Sequence, residues 1–239
     1  MRDLYKDVIG IVGGMGSFAT SDFFRRLIEA FPAEKEWDRP RIVIDNNCAM
    51  PSRVRAIIYK EERPKLVSLL TESVINLNNM GCTKIILACN TSHVFLDEIY
   101  EEYEKRTGKR DCNILNMIEV ITESLQSKGV KKVALMATEG TIDSQIYNKY
   151  LSKYRIEIIP PKNEDYIEYR YLIECVKQNK ISDEALKRFI SCASNLGSED
   201  VILGCTEFPV YLRYINEVPN INLHDPLHYL ILKLKKEMV

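Results

Sequence analysis

Two cysteines, each at the end of a short apolar run, are the groups in this sequence best suited to acid/base chemistry. Cys89 lies in residues 85–93, IILACNTSH, and Cys205 lies in residues 201–207, VILGCTE. The two cysteines are 205 − 89 = 116 residues apart. The same offset superposes Gly81 on Gly197, Leu87 on Leu203, Leu96 on Leu212 and Ile99 on Ile215. So many matches at one offset indicate a diverged internal duplication.

Each of the two cysteines is predicted to lie where a buried strand ends and a turn leads into a helix. Open parallel sheets bind their ligands at the carboxyl ends of the strands. Helix-terminal N–H groups near such a thiol favour its thiolate form. Either cysteine alone is typical of an ordinary core residue, but the pair in matching positions predicts that Cys89 and Cys205 face each other across one pocket.

Strand and helix signals alternate along the chain, which is typical of parallel sheets with helices on both faces. The predicted strands cover residues 8–12, 41–45, 85–89, 114–115, 132–137, 156–159, 201–205 and 221–223. The predicted helices cover residues 18–30, 64–80, a stretch ending near 105, 118–128, 165–178, 182–196 and a last one opened by Pro226. Gly81 and Gly129 are the expected helix caps, and residues 46–55 are predicted to form an irregular loop.

The duplication and this rhythm together predict an α/β fold with two similar lobes, each a parallel sheet flanked by helices. We assign residues 1–113 plus 217–239 to the first lobe and residues 114–216 to the second, with the last helix packing back on the first lobe.

The composition argues against partners that need a strongly charged surface. Among 239 residues, 33 are Lys or Arg and 34 are Asp or Glu, for a net charge of −1. No long block of like charge occurs, so we expect neither nucleic acid nor an anionic membrane surface as a partner. The apolar runs stay below the ~18 residues of a transmembrane helix.

The cysteine pattern bears on metals, disulfides and location. The 7 cysteines form no C-x-x-C pair, and the 3 histidines lack zinc-site spacing. A structural zinc and a disulfide framework are therefore not expected. Cysteines used singly fit a reducing cytoplasm, and residues 1–7 lack the apolar core of a signal peptide. We expect a cytoplasmic protein.

The glycine-rich turn at residues 13–16, GGMG, sits between a predicted strand and a predicted helix. Its glycines could expose N–H groups to an anion at the helix N-terminus. It matches neither G-x-G-x-x-G nor a Walker motif. A nucleotide site, a tight turn without a ligand and a carboxylate cradle all remain open, and the cradle is favoured. A weaker version recurs at residues 138–141, TEGT.

Two further side chains each have a functional and a purely structural interpretation. His93 follows Cys89 by four residues, so it either tunes the thiol or only caps and packs. Arg53 either binds a carboxylate bidentately or is a solvated loop residue. Cys89 as nucleophile with His93 as base would suit a hydrolase or lyase, but that leaves Cys205 without a role.

Three motifs together resemble the signatures of the aspartate/glutamate racemase superfamily, closest to its aspartate racemase branch. They are residues 8–16, VIGIVGGMG, residues 88–93, ACNTSH, and residues 203–207, LGCTE, in the family's order and over nearly the whole chain. The resemblance implies two α/β lobes with the site between them. It also implies racemisation of an acidic amino acid, aspartate favoured and glutamate possible, without pyridoxal phosphate or metal.

The resemblance also implies roles for individual residues. Cys89 and Cys205 correspond to the two catalytic cysteines, one on each side of the substrate Cα. The implied substrate-binding residues are Met15, Gly16, Asn47, Arg53, Asn90, Thr91, Thr138, Thr206 and Glu207. Ser17 and Ser92 stand where the family often has proline and alanine, and Tyr166 stands where some aspartate racemases carry lysine.

These inferences fix the expected partners. The ligand is a small amino acid, no cofactor is expected, and the protein is expected to form a homodimer. The alternatives are a related cysteine-dependent lyase, isomerase or hydrolase that acts on a small carboxylate, and a non-catalytic amino-acid-binding protein on the same fold.

Overall fold

The computed structural model describes residues 5–215 and 217–238 as an α/β protein with two parallel sheets. The strands are β1 (Ile9–Gly13), β2 (Ile42–Asn46), β3 (Lys84–Leu87), β4 (Lys132–Met136), β5 (Glu157–Ile159), β6 (Asp200–Leu203) and β7 (Asn222–His224). The first sheet has the order β2-β1-β3, and the second has the order β5-β4-β6-β7.

The strand order repeats between the two sheets, as the duplication predicts. β1 and β4 are each flanked by the next strand along the chain and by the strand that leads to a cysteine. A parallel bridge between Ile85 and Ile114 extends the first sheet beyond β3, in the place that β7 takes beyond β6. The predicted strand at residues 114–115 is reduced to this bridge.

The helices connect these strands in alternation. They are α1 (Ser17–Ala30), α2 (Arg53–Ile58), α3 (Arg63–Asn79), α4 (Leu96–Thr107), α5 (Met117–Ser127), α6 (Glu139–Asp143), α7 (Ile146–Leu151), α8 (Asp165–Lys177), α9 (Asp183–Ser194) and α10 (Pro226–Met238). Short 3₁₀ helices at Thr91–Phe95 and Phe208–Arg213 follow β3 and β6. The segments after the two cysteines therefore have the same type of secondary structure.

The core is layered because successive side chains of a strand point to opposite faces of its sheet. Ile202 of β6 joins a cluster between the two sheets, to which α5 and α10 contribute, while Val201 and Leu203 face outward. On the outer faces, α3 and α4 cover the first sheet, and α8 and α9 cover the second. Both faces are therefore covered, and strands such as β1 are buried along their whole length.

Helix ends follow the predicted chemistry. Pro64 lies in the first turn of α3, and Gly81 follows that helix with φ +85°. Gly129 follows α5 with φ +74°, a left-handed conformation that glycine adopts without a Cβ penalty. The prediction that these two glycines end their helices is confirmed.

Three details of the predicted organisation are corrected. The loop predicted for residues 46–55 ends at Ser52, since the Ser52 side chain accepts a hydrogen bond from the Arg55 N–H and caps α2. The short helices α6 and α7 were not predicted. β7 pairs with β6, so residues 222–224 belong to the second sheet rather than to the first lobe.

The remainder of the predicted lobe boundary stays a prediction. α10 packs against both α5 and α1, so it touches elements assigned to each lobe. Residues 1–4, 216 and 239, which the predicted lobes include, lie outside the described residues. In the described part of the chain, no helix is long and apolar enough to cross a membrane.

Candidate active site

A cavity of about 80 Å³ lies where β1, β3, β4 and β6 end. This is the edge at which parallel sheets bind ligands. One water needs only ~10–15 Å³, so the space suits several waters or a small molecule, and it is far below the ~300–1,000 Å³ of pockets for drug-sized ligands. Its lining residues are Met15, Ser52, Arg53, Val54, Cys89, Asn90, Thr91, Thr138, Ile173, Lys177, Cys205, Thr206 and Glu207.

Most of the residues predicted for the site line this one cavity. Cys89 and Cys205 follow strands of different sheets, and both line this cavity. Gly16 and Asn47 are the predicted site residues that do not line it. The small volume also argues against the nucleotide interpretation of the glycine turn.

Gly14 explains why Asn47 is held away from the cavity. Gly14 has φ +84°, and a Cβ there would lie 2.5 Å from the backbone carbon of Asn47. The turn after β1 and the loop after β2 therefore touch backbone to backbone. The Asn47 side chain accepts the Ala49 N–H at 3.0 Å and shapes its own turn. This contact favours the tight-turn interpretation for Gly14.

Cys205 is a buried thiol in contact with a carboxylate. Its Sγ donates to Oε2 of Glu207 at 2.9 Å. Burial, and then the Glu207 carboxylate, raise the pKa of Cys205 well above its ordinary value. This environment favours a protonated Cys205 in the unliganded protein.

Asn90, next to Cys89, is oriented by a side chain from the opposite half of the molecule. The hydroxyl of Tyr147 donates to Oδ1 of Asn90 at 2.6 Å. This leaves Nδ2 of Asn90 buried without a hydrogen-bond partner. A buried donor without a partner costs free energy, so this N–H group is suited to a ligand oxygen.

Three threonine hydroxyls join the two halves beside the cavity. Oγ1 of Thr91 lies 2.9 Å from Oγ1 of Thr141 and 3.4 Å from Oγ1 of Thr138. Thr141, which the sequence did not single out, is itself buried. On the opposite wall, Thr206 donates to the Ala88 carbonyl at 3.4 Å. The hydroxyls are thus held by each other and by the backbone.

Arg53 reaches the cavity from the first turn of α2. Its two terminal nitrogens donate to the carbonyls of Pro51 at 3.2 Å and Met15 at 2.8 Å. Its Nε is buried without a partner. Arginine has five N–H donors, so after these two bonds the guanidinium keeps donors for a ligand carboxylate. This position contradicts the interpretation of Arg53 as a solvated loop residue.

His93 is a packing residue. Its Nδ1 lies 3.0 Å from the Cys89 carbonyl, and its Nε2 accepts the Met117 N–H at 3.2 Å. Because Nε2 accepts, Nδ1 carries the proton and donates. Burial lowers the pKa of His93 to about 4. With both ring nitrogens engaged by backbone groups, His93 is not available as a base for Cys89.

Replacing His93 by asparagine should make stability less sensitive to acid. The pKa of this histidine is 6.5 when unfolded and about 4 when folded, so between these values the unfolded state binds the extra proton. Stability therefore falls as pH falls through this window. From pH 7 to pH 5 the wild-type protein should lose about 2 kcal/mol more than His93→Asn. Urea unfolding of both proteins at the two pH values measures this, and equal losses would contradict it.

The sequence missed four lining residues: Ser52, Val54, Ile173 and Lys177. Lys177 matters most, because it adds a second cation from the last turn of α8. Its Nζ pairs with Glu174 at 3.0 Å, and its side chain is 39% exposed. Tyr166, where some relatives were expected to carry lysine, packs edge-on against Tyr169 and does not line the cavity. Although residue 166 is not a lysine, the cavity still has a second cation beside Arg53, because Lys177 lines it.

Comparison with known proteins agrees with this geometry. Residues 12–233 match the family model for Asp/Glu/hydantoin racemases. A relative by sequence is the broad specificity amino-acid racemase RacX of Bacillus subtilis (strain 168), 27% identical over 224 residues that cover 90% of this chain and 92% of that protein.

Two solved structures show the same fold. Picrophilus torridus aspartate racemase has a TM-score of 0.80 at 30% identity, covering 97% of this chain and 94% of its own. Glutamate racemase from Francisella tularensis in complex with D-glutamate has a TM-score of 0.64 at 18% identity, covering 98% and 81%. At the lower identity, the likeness bears on the fold alone.

Proposed function

The chain belongs to the Asp/Glu/hydantoin racemase family of isomerases, and we propose that it racemises an acidic amino acid by a two-base reaction of Cys89 and Cys205. Aspartate is favoured over glutamate as the substrate. The observation that carries the proposal is the position of both thiols in the wall of one small cavity. A relative at 30% identity is an aspartate racemase, which supports the choice of substrate.

Racemisation removes the Cα proton from one face of the substrate and returns a proton to the other face. One cysteine must be a thiolate that takes the proton, while the other is a thiol that gives its own. Burial and the Glu207 carboxylate favour the thiol form of Cys205. For one enantiomer, Cys205 is then the acid and Cys89 the base, and after a turnover the roles are exchanged.

The intermediate carbanion is stabilised in this proposal by donors fixed around the α-carboxylate. Nδ2 of Asn90 is a buried donor without a partner. The hydroxyls of Thr91, Thr138 and Thr206 are held in place around the cavity. Since these donors are in place before the substrate binds, little reorganisation is needed. The reaction as proposed uses residues of this chain and neither pyridoxal phosphate nor a metal.

The preference for an acidic side chain rests on two cations. Arg53 and Lys177 both line the cavity, and a guanidinium binds a carboxylate bidentately. Cations facing a small cavity favour a ligand with a second carboxylate over a neutral amino acid. The hydrolase alternative is disfavoured, because it needs His93 as a base and that ring is fully engaged by backbone groups.

The test is incubation of the purified, chelator-treated protein with single amino-acid enantiomers in deuterium oxide. Chiral chromatography with mass detection then follows inversion and Cα exchange together. We expect one deuterium in the inverted product, with aspartate the fastest substrate. Exchange that requires added pyridoxal phosphate or metal, or no inversion of any amino acid, would contradict the proposal.

A further inference from the structure

Glu207 is a buried carboxylate with one oxygen engaged and one free. Its exposure is only 2%. Oε2 accepts from Sγ of Cys205 at 2.9 Å and lies 3.4 Å from Oγ1 of Thr206. Oε1 is equally buried and has no hydrogen-bond partner. Buried polar atoms are nearly always bonded, so this oxygen is suited to a partner that arrives with a ligand.

Glu207 has no ion-pair partner in the described part of the chain. Among residues 5–215 and 217–238, no lysine, arginine or histidine pairs with it. Lys177 lines the same cavity, but its Nζ is engaged by Glu174 at 3.0 Å. A buried carboxylate that lacks a countercharge is costly. A ligand that carries a cation into the cavity would supply this missing countercharge.

Gly16 lies close to this buried oxygen. A Cβ on residue 16 would lie 3.1 Å from Oε1 of Glu207, closer than side-chain carbons normally approach. Glycine leaves that space open, in the turn that also carries the cavity residue Met15. Glu207 itself lines the cavity, so its carboxylate lies beside any ligand bound there.

The unpartnered atoms around the cavity form a complementary set. In the described part of the chain, seven buried side-chain atoms lack a partner, and three of them belong to cavity residues: Nε of Arg53, Nδ2 of Asn90 and Oε1 of Glu207. Two are donors and one is an anionic acceptor. Donors suit carboxylates, and the acceptor suits a group that carries N–H and positive charge. A zwitterionic amino acid has both.

We propose that Oε1 of Glu207 receives the α-ammonium group of the substrate and so restricts the site to ligands with a free amino group. The inference rests on the proposed function only in taking the ligand to be an α-amino acid. It does not require that the ligand be acidic or that racemisation occur. A carboxylate without the amino group leaves Oε1 uncompensated and adds its own negative charge beside it. Such ligands should be rejected.

The test compares amino acids with their deamino analogues by titration calorimetry. The pairs are aspartate with succinate, glutamate with glutarate, and alanine with propanoate. Racemic amino acids are used, so that turnover produces no net change. In the wild type, at least one amino acid should bind at least about tenfold tighter than its analogue, as expected for a hydrogen bond between charged groups.

Glu207→Gln is the main variant. It should lower the affinity ratio, that of the amino acid over its deamino analogue, by at least about tenfold. The analogue itself should bind as well as before or better. Glu207→Asp, which withdraws the carboxylate by one methylene, should lower the ratio by several-fold and serves if the Gln variant does not fold. Glu168→Gln is the matched control, because Glu168 pairs with Arg188 at 2.7 Å and neither residue lines the cavity. It should leave the ratio unchanged.

The outcomes separate this proposal from the proposed function. No amino-acid preference in any wild-type pair, or an unchanged ratio in a folded Glu207 variant, would overturn it. If the Glu207 variants lower the affinity ratio only for the pair of alanine and propanoate, the role of Glu207 is supported and the proposal of an acidic substrate is contradicted. If the Glu207 variants lower the affinity ratio but the wild-type protein shows no Cα exchange, the role of Glu207 is supported and racemisation is contradicted.

Discussion

Replacing Cys205 with alanine should abolish racemisation in both directions, and Cys89→Ala should do the same. Each inversion needs a deprotonation on one face and a protonation on the other, so neither cysteine alone completes a turnover. General acid/base groups typically contribute ~10²–10⁴-fold, and we expect kcat to fall by at least ~10³-fold in each variant. Polarimetry or chiral chromatography from either enantiomer measures this loss.

The two variants should differ in what they retain. A single remaining thiolate can still exchange the Cα proton with solvent for one enantiomer, without inverting it. In deuterium oxide, Cys89→Ala and Cys205→Ala should therefore label opposite enantiomers. Both should still bind substrate, because the residues proposed to hold the carboxylates are unchanged.

Cys82→Ala is the matched control for loss of a buried thiol. Cys82 is 2% exposed and lies in the core of the first lobe, outside the cavity. Its replacement should lower thermal stability slightly and leave kcat within a few-fold of the wild type. Near-normal turnover of Cys205→Ala would refute the two-base reaction, whatever Cys89→Ala does, and would favour chemistry that needs Cys89 alone.

The fold was predictable where sequence signals are local. The apolar runs before Cys89 and Cys205 define β3 and β6, and Gly81 and Gly129 end their helices as expected. α6 and α7 have only five and six residues, too few for a helical repeat of apolar positions to be recognised. The pairing of β7 with β6 could not be predicted, because three residues carry no signal of which sheet they join.

The site was predictable where its residues are neighbours in the chain. Asn90 and Thr91 follow Cys89, and Thr206 and Glu207 follow Cys205, so a strand end brings each set to the cavity. Lys177 lies 28 residues before Cys205 (205 − 177) on another element. Its place in the cavity wall depends on how α8 docks on the second sheet, which no local pattern encodes.

Asn47 has a local role that the sequence did not indicate. The family resemblance implied a ligand contact, whereas in the structure its side-chain oxygen accepts from its own turn and its backbone lies against Gly14. Asparagine is favoured in such turns because its side chain bonds to the backbone two residues on. A residue type suited to both a turn and a ligand cannot be assigned by sequence spacing alone.

Replacing Arg53 with alanine should strongly weaken the preference for acidic substrates and leave Lys177 as the second cation of the cavity. Removing one partner of a buried, hydrogen-bonded charge pair costs ~2–5 kcal/mol, which corresponds to a fall of at least ~30-fold in kcat/KM for aspartate. A neutral amino acid makes no such pair, so its kcat/KM should change by less than ~3-fold.

The comparison between substrates separates a binding role from a structural one. Arg53 also donates to the carbonyls of Pro51 and Met15, so a purely structural role predicts that the variant disturbs the loop and lowers activity toward every substrate equally. A ratio of aspartate to alanine kcat/KM that stays constant would therefore contradict the assignment. Arg55→Ala is the matched control, since Arg55 lies on the same helix and pairs with Glu61 at the surface at 2.6 Å. It should leave both the activity and the ratio unchanged.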